Sequence, residues 1–405
     1  MSPRFSDLAG ELRGVFRRGV ETPLPREEFE DLALRVFRFQ CNENRPYGAF
    51  VRRRGTDPGA VERWEDIPPV PTRAFKTFPL VAGDREEVEG VFRTSGTTRG
   101  QEARGEHHVL DLSLYREALL PAFRAHLLSG VTDPVLLALL PSPEEVPDSS
   151  LSYMMGTVAS ALRGKEGALT GDSREGPARA DAFFVDREGR IREDAFLSAL
   201  RAAESGDRPV LLAGTAFAFV HWLEIVSAGG GGGNVRLPTG SRIMETGGFK
   251  GRSRSMPRED LYGGLEEVFG VPPGRVVNEY GMTELLSQFY EPVLLPDPGG
   301  SFSAETLDER HHRPPPWVRT RVLDPTTLEP LDEGREGILA HFDLANVGSV
   351  SAVLTEDLGR FVPGGFRLAG RAPGAEPRGC SLALEAVLGT ASRDHHERGM
   401  PGAGT

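Results

Sequence analysis

The chain has only two cysteines in 405 residues, Cys41 and Cys380. Two thiols so far apart make no disulfide framework, which points to a reducing compartment, and the cytoplasm is the expected location. Lysine is almost missing: Lys76, Lys165 and Lys250 are the three, with none after residue 250. An excess of basic charge is also lacking, because 47 Lys and Arg face 59 Asp and Glu for a net charge of −12. Such a chain is a poor general binder of polyanions, so neither nucleic acid nor an anionic membrane surface is expected as a partner. A local basic pocket for a small phosphate compound remains open. The first 19 residues carry no apolar core of a secretory signal. The longest apolar stretch, 210–226, contains His221 and Glu224 and is too short to span a bilayer. No internal repeat is found, and no spacing suits a zinc site. The pairs His107-His108 and His311-His312 are adjacent, so neither pair shares one face of a helix or strand, and both are expected at the surface.

What is present is an ordinary globular composition, 39% hydrophobic and 26% charged, with 49 Gly and 32 Pro. The length suits two or three structural units. Residues 26–40 place Phe29, Leu32, Ala33 and Val36 on one helical face. A Pro-punctuated connector follows at 66–76. From about 91 to 290 short apolar runs at 135–140, 182–185, 210–213, 242–244 and 276–278 read as buried strands. Helical stretches near 111–128, 192–204, 216–227 and 257–269 separate them. This alternation predicts an α/β fold with a mostly parallel sheet and flanking helices. Pro121 is expected to kink or end its helix, and 229–233 is a glycine loop. After about 300 the runs at 317–323, 337–342 and 350–354 predict a smaller β-rich region.

Three strings have the residue types of a nucleotide site. Thr94, Ser95, Gly96, Thr97 and Thr98 form a hydroxyl-rich turn whose backbone N–H groups could wrap phosphate oxygens, although the Gly-Lys ending of a Walker loop is missing. Asn278-Glu-Tyr-Gly-Met-Thr-Glu284 stands at the end of a predicted strand, where ligands of open α/β sheets bind. Asp357 follows a strand in Leu354-Thr-Glu-Asp-Leu-Gly-Arg360 and is read as a turn residue able to grip two vicinal hydroxyls. Taken alone, the first string also reads as an ordinary polar turn, the second as a strand ending in a glycine turn and the third as an acidic turn residue making an Asx-type bond, the commoner role of Asp.

In order and spacing these strings, with Leu368-Ala-Gly-Arg371, resemble the adenylate-forming superfamily of acyl-CoA ligases, luciferase and adenylation domains. Glu245-Thr-Gly-Gly-Phe-Lys-Gly-Arg252 and Arg378-Gly-Cys-Ser-Leu-Ala-Leu-Glu385 narrow the likeness to the acyl-protein synthetase (LuxE-type) family, over most of residues 25–388. The resemblance implies an adenylate-forming α/β core at 1–300, a small β-rich subdomain at 301–365, a hinge and cysteine segment at 366–390 and a disordered tail at 391–405. It implies ATP and Mg²⁺ as cofactors. Thr94–Thr98 would hold phosphates, Tyr280, Gly281 and Thr283 with Gly247 and Gly248 the adenine side, Glu284 the metal, and Asp357 the ribose. A carboxylic acid, fatty in class, would become an acyl-adenylate and pass to Cys380, with an acyl-accepting reductase or a carrier protein as partner. Arg371 and Arg378 lie near Cys380 in sequence and could lower its pKa. Superfamily members usually carry a C-terminal domain of about a hundred residues with a catalytic lysine, and that domain is expected to be largely truncated here. Lys250, or an arginine such as Arg252 or Arg371, would then supply the charge, unless adenylation is slow or a partner contributes. Two alternatives stay open, an acyl-CoA ligase and an inactive nucleotide-binding subunit. The stretch 212–222 is expected to be core or to line the acyl pocket, with Gly214 and Ala218 leaving room. Cys41 is read as structural.

Overall fold

The computed structural model describes residues 3–94, 104–164, 182–229, 233–247, 256–295 and 306–371. The chain divides into two compact units, Met1–Ala118 with Thr283–Ser287 and Pro314–Thr405, and Leu119–Met282 with Gln288–Arg313. Both are discontinuous, whereas the boundaries expected from the sequence run in order along the chain.

The first unit is built on a sheet of β1 (Val70–Pro71), β9 (Val318–Leu323), β10 (Glu336–Asp343), β11 (Ala352–Val362) and β12 (Gly365–Arg371). β10 pairs antiparallel with β9 and with β11. The other edge of β11 takes β1 in parallel at Val353 and Leu354, then β12 antiparallel from Asp357 to Val362. Helices α1 (Pro3–Arg17), α2 (Arg26–Glu43) and α3 (Arg45–Arg53) belong to this unit. The expected face of α2 is buried, and Phe29 meets the Phe342 ring edge-on at 5.9 Å. Buried amides anchor the same helix: Gln40 donates to the carbonyls of Asn346 and Val347, and Asn44 to that of Ser349. The unit also holds a short hairpin, β2 (Gly90–Arg93) against β3 (Glu106–Val109).

The second unit carries a five-stranded sheet in the order β4 (Val135–Leu139), β5 (Val210–Thr215), β6 (Arg242–Thr246), β7 (Val276–Tyr280), β8 (Phe289–Tyr290). The first four are parallel and β8 is antiparallel, in agreement with the α/β expectation. Helices α7 (Glu193–Glu204), α8 (Ala216–Ser227) and α9 (Arg258–Phe269) supply Phe196, Trp222, Leu261 and Tyr262 to a core that includes Val210, Leu212 and Ile243. The hydroxyl of Thr215 caps α8 by accepting the Ala218 N–H, and Gly270, in the left-handed region, ends α9.

Two local expectations are corrected, at 182–185 and at Asp357, and of the two outcomes expected at Pro121 the ending of the helix does not occur. Residues 182–185 form isolated bridges to Ala138 and Ile191 rather than a strand. The chain turns at once, with the Asp186 carboxylate accepting the N–H groups of Glu188 and Arg190, before a ladder can grow. Helix α5 (Leu112–Leu127) runs on through Pro121. Ala118, Leu119, Ala122 and Phe123 are all buried on either side, and their packing outweighs the missing N–H. Asp357 lies within β11 rather than at a turn, because β10 and β12 pair on both edges past that point. Among the described residues no helix is long and apolar enough to cross a membrane.

Candidate active site

In the second unit the chemistry-bearing side chains collect at the carboxyl ends of β6 and β7, where open α/β sheets bind ligands. Gly247 directly follows β6 with φ +74°, a conformation that favours glycine. Tyr280 ends β7, its ring against Phe289 at 5.5 Å and edge-on to His312 at 5.9 Å. Gly281 answers a close approach, since a Cβ there would stand 2.4 Å from Glu279 Oε1, while Glu279 Oε2 accepts the Thr246 hydroxyl.

Beneath these ends runs a buried polar chain that the sequence did not reveal. The Nε2–H of His312 donates to the Asn278 side-chain oxygen at 2.7 Å. The Asn278 amide and the Tyr262 hydroxyl both donate to Glu245, at 2.5 and 3.0 Å. Arg258 donates to Tyr262 at 2.8 Å and to Glu291 at 2.5 Å, and Arg310 lies 3.6 Å from Glu291. Burial pushes the Glu245 carboxyl up to about 7, against the pull of Arg258 and of the Asn278 and Tyr262 donors, with Glu291 adding repulsion. Burial holds His312 neutral, its pKa down to about 3. The expectation of surface histidines is therefore corrected for His312, and equally for His107 and His108, all buried. Adjacent positions of a short buried segment can both face protein, which the argument from alternation did not allow for.

Of the two readings of 212–222, Gly214 follows the core one. A Cβ on it would meet Leu139 at 3.0 Å and the Phe219 ring at 3.1 Å, so neighbouring side chains already fill the space expected for an acyl chain.

The first unit holds the remaining candidates. Thr94, the first residue of the hydroxyl-rich string, pairs with Gly105: its N–H donates to the Gly105 carbonyl and its hydroxyl accepts the Gly105 N–H, both at 2.9 Å. Ser95, Gly96, Thr97 and Thr98 lie outside the described residues, as do Gly248, Lys250, Arg252, Arg378 and Cys380. Thr283 and Glu284 sit in a short irregular segment, Glu284 buried. His107 Nδ1–H donates to the Thr283 carbonyl at 2.7 Å, and the Asn346 amide donates to the Glu284 carbonyl at 2.9 Å. Asp357 and Arg371 are cross-strand partners, with Nε to Oδ1 at 3.2 Å. Among the described residues no three His, Cys, Asp or Glu side chains gather as a metal cage. One carboxylate such as Glu284 fits Mg²⁺, which keeps waters and phosphate oxygens as its other ligands.

The family model for acyl-protein synthetase, LuxE, matches residues 178–389, more than half of the chain. The chain belongs to the LuxE acyl-protein synthetase family. It is accordingly a ligase of the acyl-protein synthetase type. Two curated relatives, each called long-chain-fatty-acid–luciferin-component ligase, are similar to it. One, from Vibrio harveyi, is 24% identical over 332 residues, covering 80% of this chain and 76% of its own. The other, from Aliivibrio fischeri, is 24% identical over 344 residues, covering 82% and 79%. Among solved structures, a 2-hydroxyisobutyryl-CoA ligase in complex with 2-HIB-AMP and CoA superposes with a TM-score of 0.56 at 15% identity, over 86% of this chain and 71% of that one. That likeness shows that this chain has the fold of an adenylate-forming ligase. The matched region contains the strings at Gly247, Tyr280, Glu284, Asp357, Arg371 and Cys380, and begins after the turn at Thr94.

Proposed function

We propose that this chain joins a carboxylic acid, fatty in class, to the adenylyl group of ATP and then passes the acyl group to its own Cys380. The observation that carries the reading is the family match across 178–389, which includes Cys380. The names of the two curated relatives support the fatty class of acid.

In the first step a carboxylate oxygen attacks the α-phosphorus of ATP. The bond to the bridging oxygen breaks, and pyrophosphate leaves with the electron pair. Acid and nucleotide are both anionic, so positive charge and N–H donors must meet them in the site. Thr94 and the turn at Ser95, Gly96, Thr97 and Thr98 would hold the terminal phosphates. Asp357 would accept the ribose hydroxyls, and its pairing with Arg371 supports a role for both groups at one ribose and phosphate. Tyr280, with Gly247, Gly248, Gly281 and Thr283, would flank the adenine side. Glu284 would bind a magnesium ion, which supplies charge neutralisation when present. Lys250 or Arg371 would supply the positive charge at the reacting carboxylate. In the second step the Cys380 thiolate adds to the acyl carbon and AMP departs with the C–O electron pair, leaving a thioester.

Intact-mass spectrometry after incubation with ATP, Mg²⁺ and a mixture of fatty acids tests the reading. The expected result is an acyl adduct on the wild-type protein that is absent from Cys380→Ala, while Cys380→Ala retains acid-dependent pyrophosphate exchange. An adduct that persists in Cys380→Ala, or rapid acyl-CoA formation by that variant, would overturn the cysteine step. The acyl mass also names the acid. A reductase or carrier protein that discharges the thioester would be the onward partner, and a cytoplasmic setting suits a free thiol.

A further inference from the structure

We infer that His107, Asp343 and Asn346 are positioning residues that preset the Glu284 carboxylate for the nucleotide's metal ion. This rests on the reading of Glu284 given above.

Residues 283–287 form neither helix nor strand, so their backbone groups need partners from outside the segment. Side chains provide them. His107 Nδ1–H donates to the Thr283 carbonyl at 2.7 Å. A carbonyl can only accept, so Nδ1 must carry the proton. Asn346 donates to the Glu284 carbonyl at 2.9 Å and to the Val350 carbonyl at 2.8 Å. One oxygen of Asp343 accepts the N–H groups of Leu286 and Ser287, at 3.0 and 2.9 Å. Its other oxygen accepts the Ser287 hydroxyl at 2.8 Å and the Ala345 N–H at 2.9 Å. The Trp317 indole N–H donates to that same hydroxyl at 3.1 Å. The anchors flank Glu284 on both sides, so its backbone has little freedom to turn the carboxylate away.

The anchors come from two places with their own claim on the site. Asp343 ends β10 and Asn346 follows three residues later in the connection to β11, the strand that carries Asp357. His107 belongs to β3, where it pairs with Phe92, two residues before Thr94. A single imidazole thereby joins the hairpin bearing the hydroxyl-rich turn to the segment bearing Glu284. Thr283, at one end of that link, is among the residues expected from the sequence, whereas His107, at the other, is expected there at the surface.

The test uses the full-length protein, with fixed ATP and varied Mg²⁺. The readout is the Mg²⁺ concentration giving half the ATP-dependent rise in melting temperature, which needs no turnover. KM for ATP and kcat in pyrophosphate exchange are measured beside it. His107→Leu and Asp343→Asn should each raise that concentration about tenfold or more, as loss of outer-shell support does at metal sites. His107→Asn, whose amide nitrogen can stand where Nδ1 stood, should return it to within about threefold of wild type, while KM for the acid stays unchanged. Where His107→Leu does not fold, Asp343→Asn and Asn346→Ser carry the test. Wild-type values in the folded variants, with a shift in Glu284→Gln, would overturn the inference and leave the reading of Glu284 standing. No shift in Glu284→Gln would overturn that reading, and the inference with it.

Discussion

Asp357 illustrates how one side chain can be read in sequence for its chemistry and misread for its setting. It was expected at a turn, yet it sits inside β11 and pairs with Arg371 across to β12. A carboxylate on a strand has fewer directions open to it than one on a turn, and the Arg371 guanidinium stands 3.2 Å from it. Asp357→Asn should therefore raise KM for ATP about 10- to 100-fold, the range expected when charged hydrogen bonds to a ligand are lost. The melting temperature should stay close to wild type, because the strand pairing does not use the side chain. An unchanged KM for ATP would remove Asp357 from the nucleotide site. Cys41 behaves as its sequence setting suggested. It is buried, and burial pushes its thiol up to about 12, so it is no thiolate at neutral pH.

β11 is the element on which the first unit depends, because it meets β10 on one edge and both β1 and β12 on the other. The pairing on both sides requires close backbone approach at Gly359. A Cβ there would lie 2.7 Å from the Arg367 carbonyl oxygen and 3.0 Å from Leu339. Gly359→Ala should cost about 1–3 kcal/mol, as overpacking does in tight sites, and lower the urea midpoint accordingly. A variant with the wild-type midpoint would show that β12 is free to move away. Helix α5 and the run at 182–185 mark the limits of reading single elements. Proline and an apolar run are local signals, and in both cases neighbouring packing or a turn decided the outcome.

Across the whole molecule, buried titratable groups set how the protein meets acid. Burial keeps four histidines neutral: His107 and His126 with pKa about 4, His312 and His341 about 3. Unfolding frees each to take a proton below its usual 6.5, so these four lose stability as pH falls through that value. Glu245, raised to about 7, and Asp343, raised to about 6, act in the opposite direction. Each binds a proton in the native state at a pH where the unfolded chain has lost it, so acidification favours the fold between those values and the usual carboxylate range. Four groups outweigh two, and stability to urea should fall between pH 6.5 and pH 4.5. A rise on acidification would mean that the carboxyls dominate or that the histidines are not buried as described.

The sequence by itself determined the family and the α/β class. Both are written in local patterns: apolar runs at strand spacing, helices after them, and short strings such as Asn278 to Glu284 whose residue types survive any change of context. It also placed Glu284, Asp357 and Cys380 on strings that the family match includes. Tertiary structure alone decided which polar groups are buried and what they hold. Glu245, Tyr262, Asn278 and His312 come from four separated segments, and so do His107, Glu284, Trp317 and Asp343. Their hydrogen bonds depend on distance in space, which a linear pattern does not carry. The same holds for Gly214, where only the folded neighbours Leu139 and Phe219 reveal that the space is already taken.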